Sequence, residues 1–252
     1  MAALTVQLFV ATSGVAEHPS VELTIPPQYK ILGGGAFDHW SGAGNLLTAS
    51  YPVGLQTWFA AGKDHEVVSP AAISAFALAL FDPNDEWNVV IQAETSDPAE
   101  HPQAVATLPA GFTLTGGGAF VDYGAGAGNL LTASFPTSAS SWEARSKDHL
   151  VVDAAKLTAY AIGLQPRPGN NARLNSVIVN ATGVVAAHPA AQVCLDPAFT
   201  LSGGGAIDNW NGPGNLLTAL YPQGGCWVAA GKDHIDSSPA SITVYAIGIR
   251  LA

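Results

Sequence analysis

The chain repeats one phrase three times, and this repeat constrains its fold more than any other feature. The phrase begins with Gly-Asn-Leu-Leu-Thr-Ala, continues through a Trp and ends with Lys-Asp-His; its copies span 44–65, 128–149 and 214–234. A Gly-Gly-Gly-Ala run precedes each copy, and a His-Pro pair begins 15 residues before each run. Agreement at so many anchors, with insertions confined to the turns, predicts three tandem structural units.

The repeat divides the chain into units of roughly 85 residues. We place them at 1–83, 84–169 and 170–252. The junctions at 81–87 and 165–175 are polar, contain Pro and are too short to act as flexible linkers. Near-equal spacing and short junctions favour one pseudo-symmetric domain over three independent ones.

Within each unit the residue pattern is that of strands. Stretches such as Leu-Thr-Val-Gln-Leu-Phe-Val alternate and are rich in β-branched residues, and Gly-rich turns separate them. We expect about six short strands per unit and an all-β fold. The units are predicted to form a pseudo-three-fold, β-prism-like assembly with a shared core. The alternative is three small β-sandwiches side by side.

Composition narrows the class of partner. The 252 residues carry a net charge of −10, and the nine Lys and Arg residues are scattered. Phosphate backbones and anionic membranes both require clustered positive charge, so neither nucleic acid nor an anionic membrane surface fits. With 48% hydrophobic and 11% charged residues, the chain is not disordered. A Gly- and Thr-rich, sparsely charged surface suits neutral polar partners such as glycans.

The sequence predicts a protein without a membrane-spanning segment. No apolar run approaches the roughly 18 residues of a transmembrane helix. The N-terminal stretch lacks the basic region of a signal peptide, and it aligns with the first strands of units two and three. We therefore expect a soluble protein that is secreted or released, without a signal peptide in this chain.

Two cysteines, Cys194 and Cys226, both belong to the third unit. The corresponding positions in the other units carry small hydroxyl residues, so the two changes occur together. This pairing indicates proximity and is compatible with a disulfide. Two free thiols packed as small hydrophobic groups fit the sequence equally well.

A carboxylate beside an aromatic residue follows each Gly-Gly-Gly-Ala run. In sugar sites a carboxylate accepts hydrogen bonds from hydroxyls, and an aromatic face stacks on sugar C–H groups. The alternative is an Asx turn next to a core aromatic. The candidate ligand-binding residues here are Asp38, Trp40, Asp122, Tyr123, Asp208 and Trp210.

The Lys-Asp-His ends and the Gly-Asn starts of the phrase supply further candidates. An Asp can fix the neighbouring imidazole beside a ligand, or the segment can be a structural turn. Leu220 replaces the serines of the other units, which argues against a hydrolase triad in all three units, and three His meeting as a metal site is a minor alternative. We expect no metal, no cofactor and no catalytic residue. These ligand-binding candidates are Asn45, Asp64, His65, Asn129, Asp148, His149, Asn215, Asp233 and His234.

The three-fold plan resembles that of β-prism lectins and of the β-prism receptor-binding domain of three-domain insecticidal crystal toxins. This resemblance is architectural and covers the whole chain. The Gln-x-Asp-x-Asn-x-Val-x-Tyr motif of monocot lectins is absent, and the units are about twice as long as those of jacalin-type lectins. No residue roles can be transferred from these families.

Three functional hypotheses follow. The first is a non-enzymatic, lectin-like protein with up to three equivalent sites for a glycan or a glycosylated cell-surface receptor, since multivalency strengthens weak binding. The second is an insecticidal or other toxin or virulence protein that recognises such a receptor. The third is a metal-dependent enzyme that uses the repeated His.

Overall fold

The computed structural model describes residues 4–124 and 126–252, and strands are its only regular elements there. The prediction of an all-β fold is confirmed for this part of the chain. No helix among the described residues is long and apolar enough to cross a membrane. The strands are β1 Val6–Thr12, β2 Ser20–Thr24, β3 Tyr29–Asp38, β4 Leu46–Pro52, β5 Thr57–Lys63, β6 Ile73–Phe81, β7 Trp87–Thr95, β8 Gln103–Thr107, β9 Thr113–Asp122, β10 Asn129–Pro136, β11 Ser141–Asp148, β12 Lys156–Pro166, β13 Leu174–Thr182, β14 Ala190–Cys194, β15 Thr200–Asp208, β16 Leu216–Gln223, β17 Cys226–Lys232 and β18 Ile242–Leu251.

The strands form three six-stranded antiparallel sheets, and each sheet joins three strands from each of two units. Their orders are β1-β6-β3-β16-β17-β14, β13-β18-β15-β10-β11-β8 and β2-β5-β4-β9-β12-β7. Unit one therefore shares one sheet with unit three and another with unit two, and the third sheet joins units two and three. Every unit depends on its neighbours for sheet continuity.

The seam between two units is short in every sheet. Strands β4 and β9 are joined at only two residue pairs, Ala49–Phe120 and Ser50–Ala119. The seams between β10 and β15 and between β16 and β3 likewise have two pairs each. By contrast, β3 and β6 pair over nine residues within unit one.

The glycine runs lie where the three units pack most tightly. A Cβ on Gly33 would lie 2.5 Å from the Ser202 carbonyl oxygen and 2.9 Å from the Gly203 Cα. Gly203 in turn abuts Gly116, and Gly116 abuts Gly33. Only glycine allows three backbones to approach this closely. The runs are thus a packing device where the units meet.

A buried tryptophan from each phrase fills the core of its unit. Trp58, Trp142 and Trp227 have no exposed surface. The indole Nε1 of Trp142 donates to Ser134 Oγ at 2.9 Å, and Trp58 donates to Ser50 Oγ at 3.1 Å. The serines that could have suggested nucleophiles are therefore hydrogen-bond partners of core indoles.

Cys194 and Cys226 form a disulfide across β14 and β17, so the alternative of two free thiols is wrong. The corresponding residues of unit one, Thr24 and Thr57, have their hydroxyl oxygens 3.4 Å apart. In unit two the corresponding pair is 3.2 Å apart. The disulfide replaces a cross-strand contact that the other units make with hydroxyl groups.

Candidate functional site

The lysine of each phrase reaches from its own unit into the aromatic turn of the next. Lys147 Nζ lies 4.7 Å from the centre of the Trp210 ring, and it donates to the carbonyl of Pro213. The equivalent lysines contact Tyr123 and Trp40 at 4.6 and 4.4 Å. A buried ammonium needs such partners, because an aromatic face and a carbonyl replace part of its lost hydration.

The Gly-Asn start of the phrase makes room for this lysine. Gly128 has a φ of +97°, and a Cβ there would collide with Lys63 Nζ. The following Asn129 is fully buried, and its Nδ2 donates to the Glu100 carbonyl at 2.7 Å. Asn45 and Asn215 are buried with equivalent hydrogen bonds. Their burial argues against ligand contact, so we leave the three asparagines out of the candidate site.

The aspartate of Lys-Asp-His closes the turn that follows it. Asp148 Oδ2 accepts from the Asp153 backbone N–H at 3.3 Å, across a residue, Leu150, whose φ is +62°. Asp64 and Asp233 close the same turn in the other units. These aspartates therefore stabilise a turn, which supports the alternative that the Lys-Asp-His segment is structural.

The three histidines of the phrase form a closed ring of hydrogen bonds. His65 Nε2 lies 2.5 Å from the His149 carbonyl oxygen, His149 Nε2 lies 2.8 Å from that of His234, and His234 Nε2 lies 2.6 Å from that of His65. Each Nδ1 also faces a carbonyl, at 3.1–3.2 Å. Because a carbonyl oxygen can only accept, the shorter contacts place an N–H on the Nε2 of each ring.

Burial lowers the pKa of His149 and His234, which favours their neutral form. Within residues 4–124 and 126–252, no three His, Cys, Asp or Glu side chains are grouped so that they could hold a metal ion. The histidines are also almost fully buried. Their observed role is to tie the three units together.

The strand register corrects the equivalence of the three turn aspartates. Val121 in β9 takes the position that Asp38 and Asp208 hold in β3 and β15, and Asp122 lies one residue further along. Val121, Asp38 and Asp208 are buried, whereas Asp122 is exposed. The three sites are therefore not identical. The spacing was the available sequence signal, because Asp38 and Asp208 lie five residues after the first glycine of their runs, whereas Asp122 lies six residues after Gly116.

Unit two has no buried aspartate at the position of Val121, and a carboxylate from another position, that of Asp153, lies near the buried lysine instead. Asp153 stands where the other units have serine, and its Oδ2 accepts from the Gly128 N–H at 2.6 Å. Burial lowers the pKa of Lys63, and the negative charge of Asp153 opposes this. Each buried lysine thus keeps a carboxylate nearby.

The buried aspartates should make stability depend on pH. Burial raises the pKa of Asp38 and Asp208 to about 7, against the opposing charges of Lys232 and Lys147. Their carboxylate oxygens have no hydrogen-bond partner among the described residues. Aspartates in the unfolded chain have a pKa of about 3.9, so the unfolded state loses these protons at a lower pH than the folded state does. The free energy of unfolding therefore falls as pH rises from about 4 to about 7.

We expect the double variant Asp38→Asn, Asp208→Asn to weaken this decline. Thermal unfolding measured at intervals from about pH 4 to pH 7 would show a flatter Tm profile than wild type. The matched control is Asp122→Asn, which changes an exposed aspartate and should leave the slope unchanged. An unchanged slope in the double variant would contradict the assignment.

Two grooves open beside the seams, where the joined strands separate. The first groove, between units one and two, has a volume of about 320 Å³. The second groove, between units two and three, has a volume of about 380 Å³. The first groove is lined by His18, Pro19, Ser20, Thr48, Ala49, Phe59, Ala61, Gly62, Phe120, Val121, Asp122, Tyr123 and Gly124. The second groove is lined by His101, Pro102, Gln103, Thr132, Arg145, Ser146, Ile207, Asp208, Asn209 and Trp210.

The grooves bring together part of the predicted site. Asp122 and Tyr123 line the first groove, and Asp208 and Trp210 line the second. In the third seam Trp40 lies 5.4 Å from the His188 ring, between ring centres. The Asn and His candidates lie in the interior instead. A larger cavity, of about 480 Å³, is lined by junction residues such as Pro83 and Asn170, and contains none of the turn aromatics.

The prediction missed a cluster of aromatic side chains beside the first groove. Tyr51 stacks on Tyr160 with ring centres 4.9 Å apart, and it contacts Phe59 and Phe120 at 5.5 and 5.3 Å. Burial raises the pKa of Tyr160 to about 12, which keeps its hydroxyl protonated. The aromatic residues were visible in the repeat, but their proximity depends on pairing between units.

Comparison with known proteins gives no family. No protein-family model and no curated protein matches the chain. One solved chain, from work on the triple jelly roll fold and turret assembly in an archaeal virus, is 9% identical, with 99% of this chain and 90% of that chain covered and a TM-score of 0.19. Another, from the atomic structure of Sulfolobus Turreted Icosahedral Virus, is 8% identical, with 100% and 91% covered and a TM-score of 0.18. Likeness at this level carries no argument.

Proposed function

We propose that the protein is a non-enzymatic recognition protein that binds carbohydrate in the grooves at its seams. In this proposal the three units form a pseudo-three-fold, β-prism-like assembly. The cyclic sharing of sheets, the ring of histidines and the glycine contacts support that arrangement. We also propose that the protein is secreted or released and binds glycans on cell surfaces.

The observation that carries the proposal is the composition of the grooves. Each has an aromatic side chain whose ring lies over a buried lysine, and polar groups surround it. A half-buried aromatic held in place costs little entropy when a sugar stacks on it. Asp122 in the first groove and Asn209 in the second are exposed and offer acceptor oxygens to hydroxyls.

Repetition would raise the strength of binding to clustered glycans. Grooves at different seams of one rigid body can engage neighbouring sugars together, so weak individual sites gain avidity. The corresponding position in the third seam contains Trp40 and His188. Recognition of a cell-surface receptor by a toxin would use the same grooves and stays a hypothesis. A metal-dependent enzyme stays a hypothesis too, although no group of His, Cys, Asp or Glu within 4–124 and 126–252 suits a metal ion.

A glycan array followed by calorimetry tests the proposal. We expect millimolar or tighter binding of at least one glycan class. Asp122→Ala should weaken binding in the first groove by about fivefold, and Asn209→Ala should do the same in the second groove, since each removes a hydrogen-bonding group worth about 1 kcal/mol. Both residues are exposed, and thermal unfolding checks that losing the Asn209 hydrogen bonds to Ser241 and Thr243 leaves the fold intact.

The control for this pair is Asp236→Ala, an exposed aspartate outside both grooves. It should bind the same glycans with wild-type affinity. The absence of binding to every glycan at millimolar concentration, or equal loss in the control, would overturn the proposal.

A further inference from the structure

The two grooves share a framework but differ in charge. Arg145 of the second groove stands where the first groove has Ala61, and Asn209 stands where the first has Asp122. The first groove therefore presents an exposed carboxylate without a neighbouring arginine. The second presents a guanidinium and a neutral amide at the same two positions.

Two neighbours, Glu143 and Phe135, contact the guanidinium of Arg145. Its Nε donates to Glu143 Oε1 at 2.5 Å, and its guanidinium carbon lies 5.7 Å from the centre of the Phe135 ring. The Glu143 side chain is 8% exposed and the Arg145 side chain is 42% exposed. Over the described residues, the terminal Nη atoms of Arg145 make no hydrogen bond. An arginine that is hydrogen-bonded at Nε and free along its Nη edge is suited to bidentate binding of a carboxylate.

The remaining groups of the second groove are compatible with an anion. Asn209 donates from Nδ2 to Ser241 and Thr243, which leaves its amide oxygen for a ligand hydroxyl. His101 Nε2 lies 3.2 Å from Asp148 Oδ1. Asp208 lies at the floor and is buried, and burial raises its pKa to about 7. Glu143 offsets part of the positive charge of Arg145, so the preference rests on the free Nη edge of Arg145 and on the contrast with Asp122, which adds a negative charge to the first groove without an arginine beside it.

We propose that the second groove binds an acidic sugar, one that carries a carboxylate such as a uronic acid, and that the first groove prefers neutral sugars. This inference rests on the proposed carbohydrate-binding function. Arg145 is its specificity-determining residue. Its Nη groups bind the sugar carboxylate, Trp210 packs against the sugar ring, and Asn209 accepts from a hydroxyl.

Calorimetric titration with matched pairs of methyl hexosides and methyl hexuronides tests the inference. The sugars of each pair, in the gluco, galacto and manno series, differ only at C6. We expect at least one hexuronide to bind wild type about tenfold more tightly than its neutral partner. The preference should shrink as sodium chloride is raised from about 50 to 500 mM.

Arg145→Ala should abolish this preference and leave the affinity for the neutral partner within about twofold. Arg145→Lys should keep part of it, because the charge remains and the fork is lost. The matched variant Ala61→Arg with Asp122→Asn should create an acidic-sugar preference in the first groove. Thermal unfolding of each variant checks that the fold persists.

The outcomes separate the two claims. Binding of neutral sugars without any preference for the hexuronides, or a preference that survives Arg145→Ala, overturns this inference alone. Failure of every neutral and acidic glycoside to bind overturns the proposed function as well.

Discussion

Gly116→Ala is expected to destabilise the protein by about 3 kcal/mol or more, at the upper end of the cost of overpacking. Its Cβ would lie 2.5 Å from the Leu32 carbonyl oxygen and 2.7 Å from the Gly33 Cα. Both are backbone atoms of another unit, so no side chain can rotate away. Urea unfolding followed by tryptophan fluorescence measures the loss in the free energy of unfolding.

The matched control for Gly116→Ala is Gly54→Ala. A Cβ on Gly54 meets no atom within 4 Å, and its backbone does not require glycine. This variant should stay within about 0.5 kcal/mol of wild type, as surface changes do. Equal stability of both variants would mean that the three units do not meet through the glycine runs.

Trp142→Ala is expected to cost about 3–5 kcal/mol, the usual range for deleting a buried aromatic side chain. Trp142 has no exposed surface, and its ring packs over Gly117. Deletion leaves a cavity and an unpaired Ser134 hydroxyl. Denaturant unfolding monitored by circular dichroism measures the effect.

Ser134→Ala separates the two parts of that cost. It retains the indole but leaves Nε1 without its acceptor, so a loss of about 1–2 kcal/mol is expected. Unit three already has this situation, because Leu220 replaces the serine and Trp227 Nε1 has no partner among the described residues. A Trp142→Ala loss as small as that of Ser134→Ala would show that this indole is not a core residue.

Local pattern was enough to predict the strands and the repeat. Alternation and turn residues specify a strand within its own segment, and glycine runs specify close packing whatever lies opposite. The change to Cys194 and Cys226 indicated that these two positions are close in space, because both differ from the small hydroxyl residues of the other units, and both changes occur in the same unit. The disulfide itself was left open, because sequence alone does not give a distance.

Contacts between units could not be predicted from the repeat. A repeat describes one unit, and it does not say that β4 pairs with β9 of the next unit rather than with a strand of its own. The ring formed by His65, His149 and His234 depends on that exchange, as do the grooves. The sequence therefore identified charged and aromatic candidate residues, but it did not show which residues of the next unit lie beside them.

Small differences between the three units also made one prediction about the site wrong, namely that the three turn aspartates are equivalent. Asp122 appeared equivalent to Asp38 and Asp208 because all three follow a glycine run and lie one or two residues before an aromatic residue. The register places Val121 there instead. In a strand, one residue of offset moves a side chain to the opposite face, which is why Asp122 is exposed and the other two are buried.

A crystal structure of the protein soaked with the glycan that binds best in the array tests the central claim most directly. We expect electron density for a sugar ring in a seam groove, packed against Tyr123 or Trp210 and hydrogen-bonded to Asp122 or Asn209. Density for the sugar only outside the grooves, with both grooves accessible in the crystal, would contradict the account.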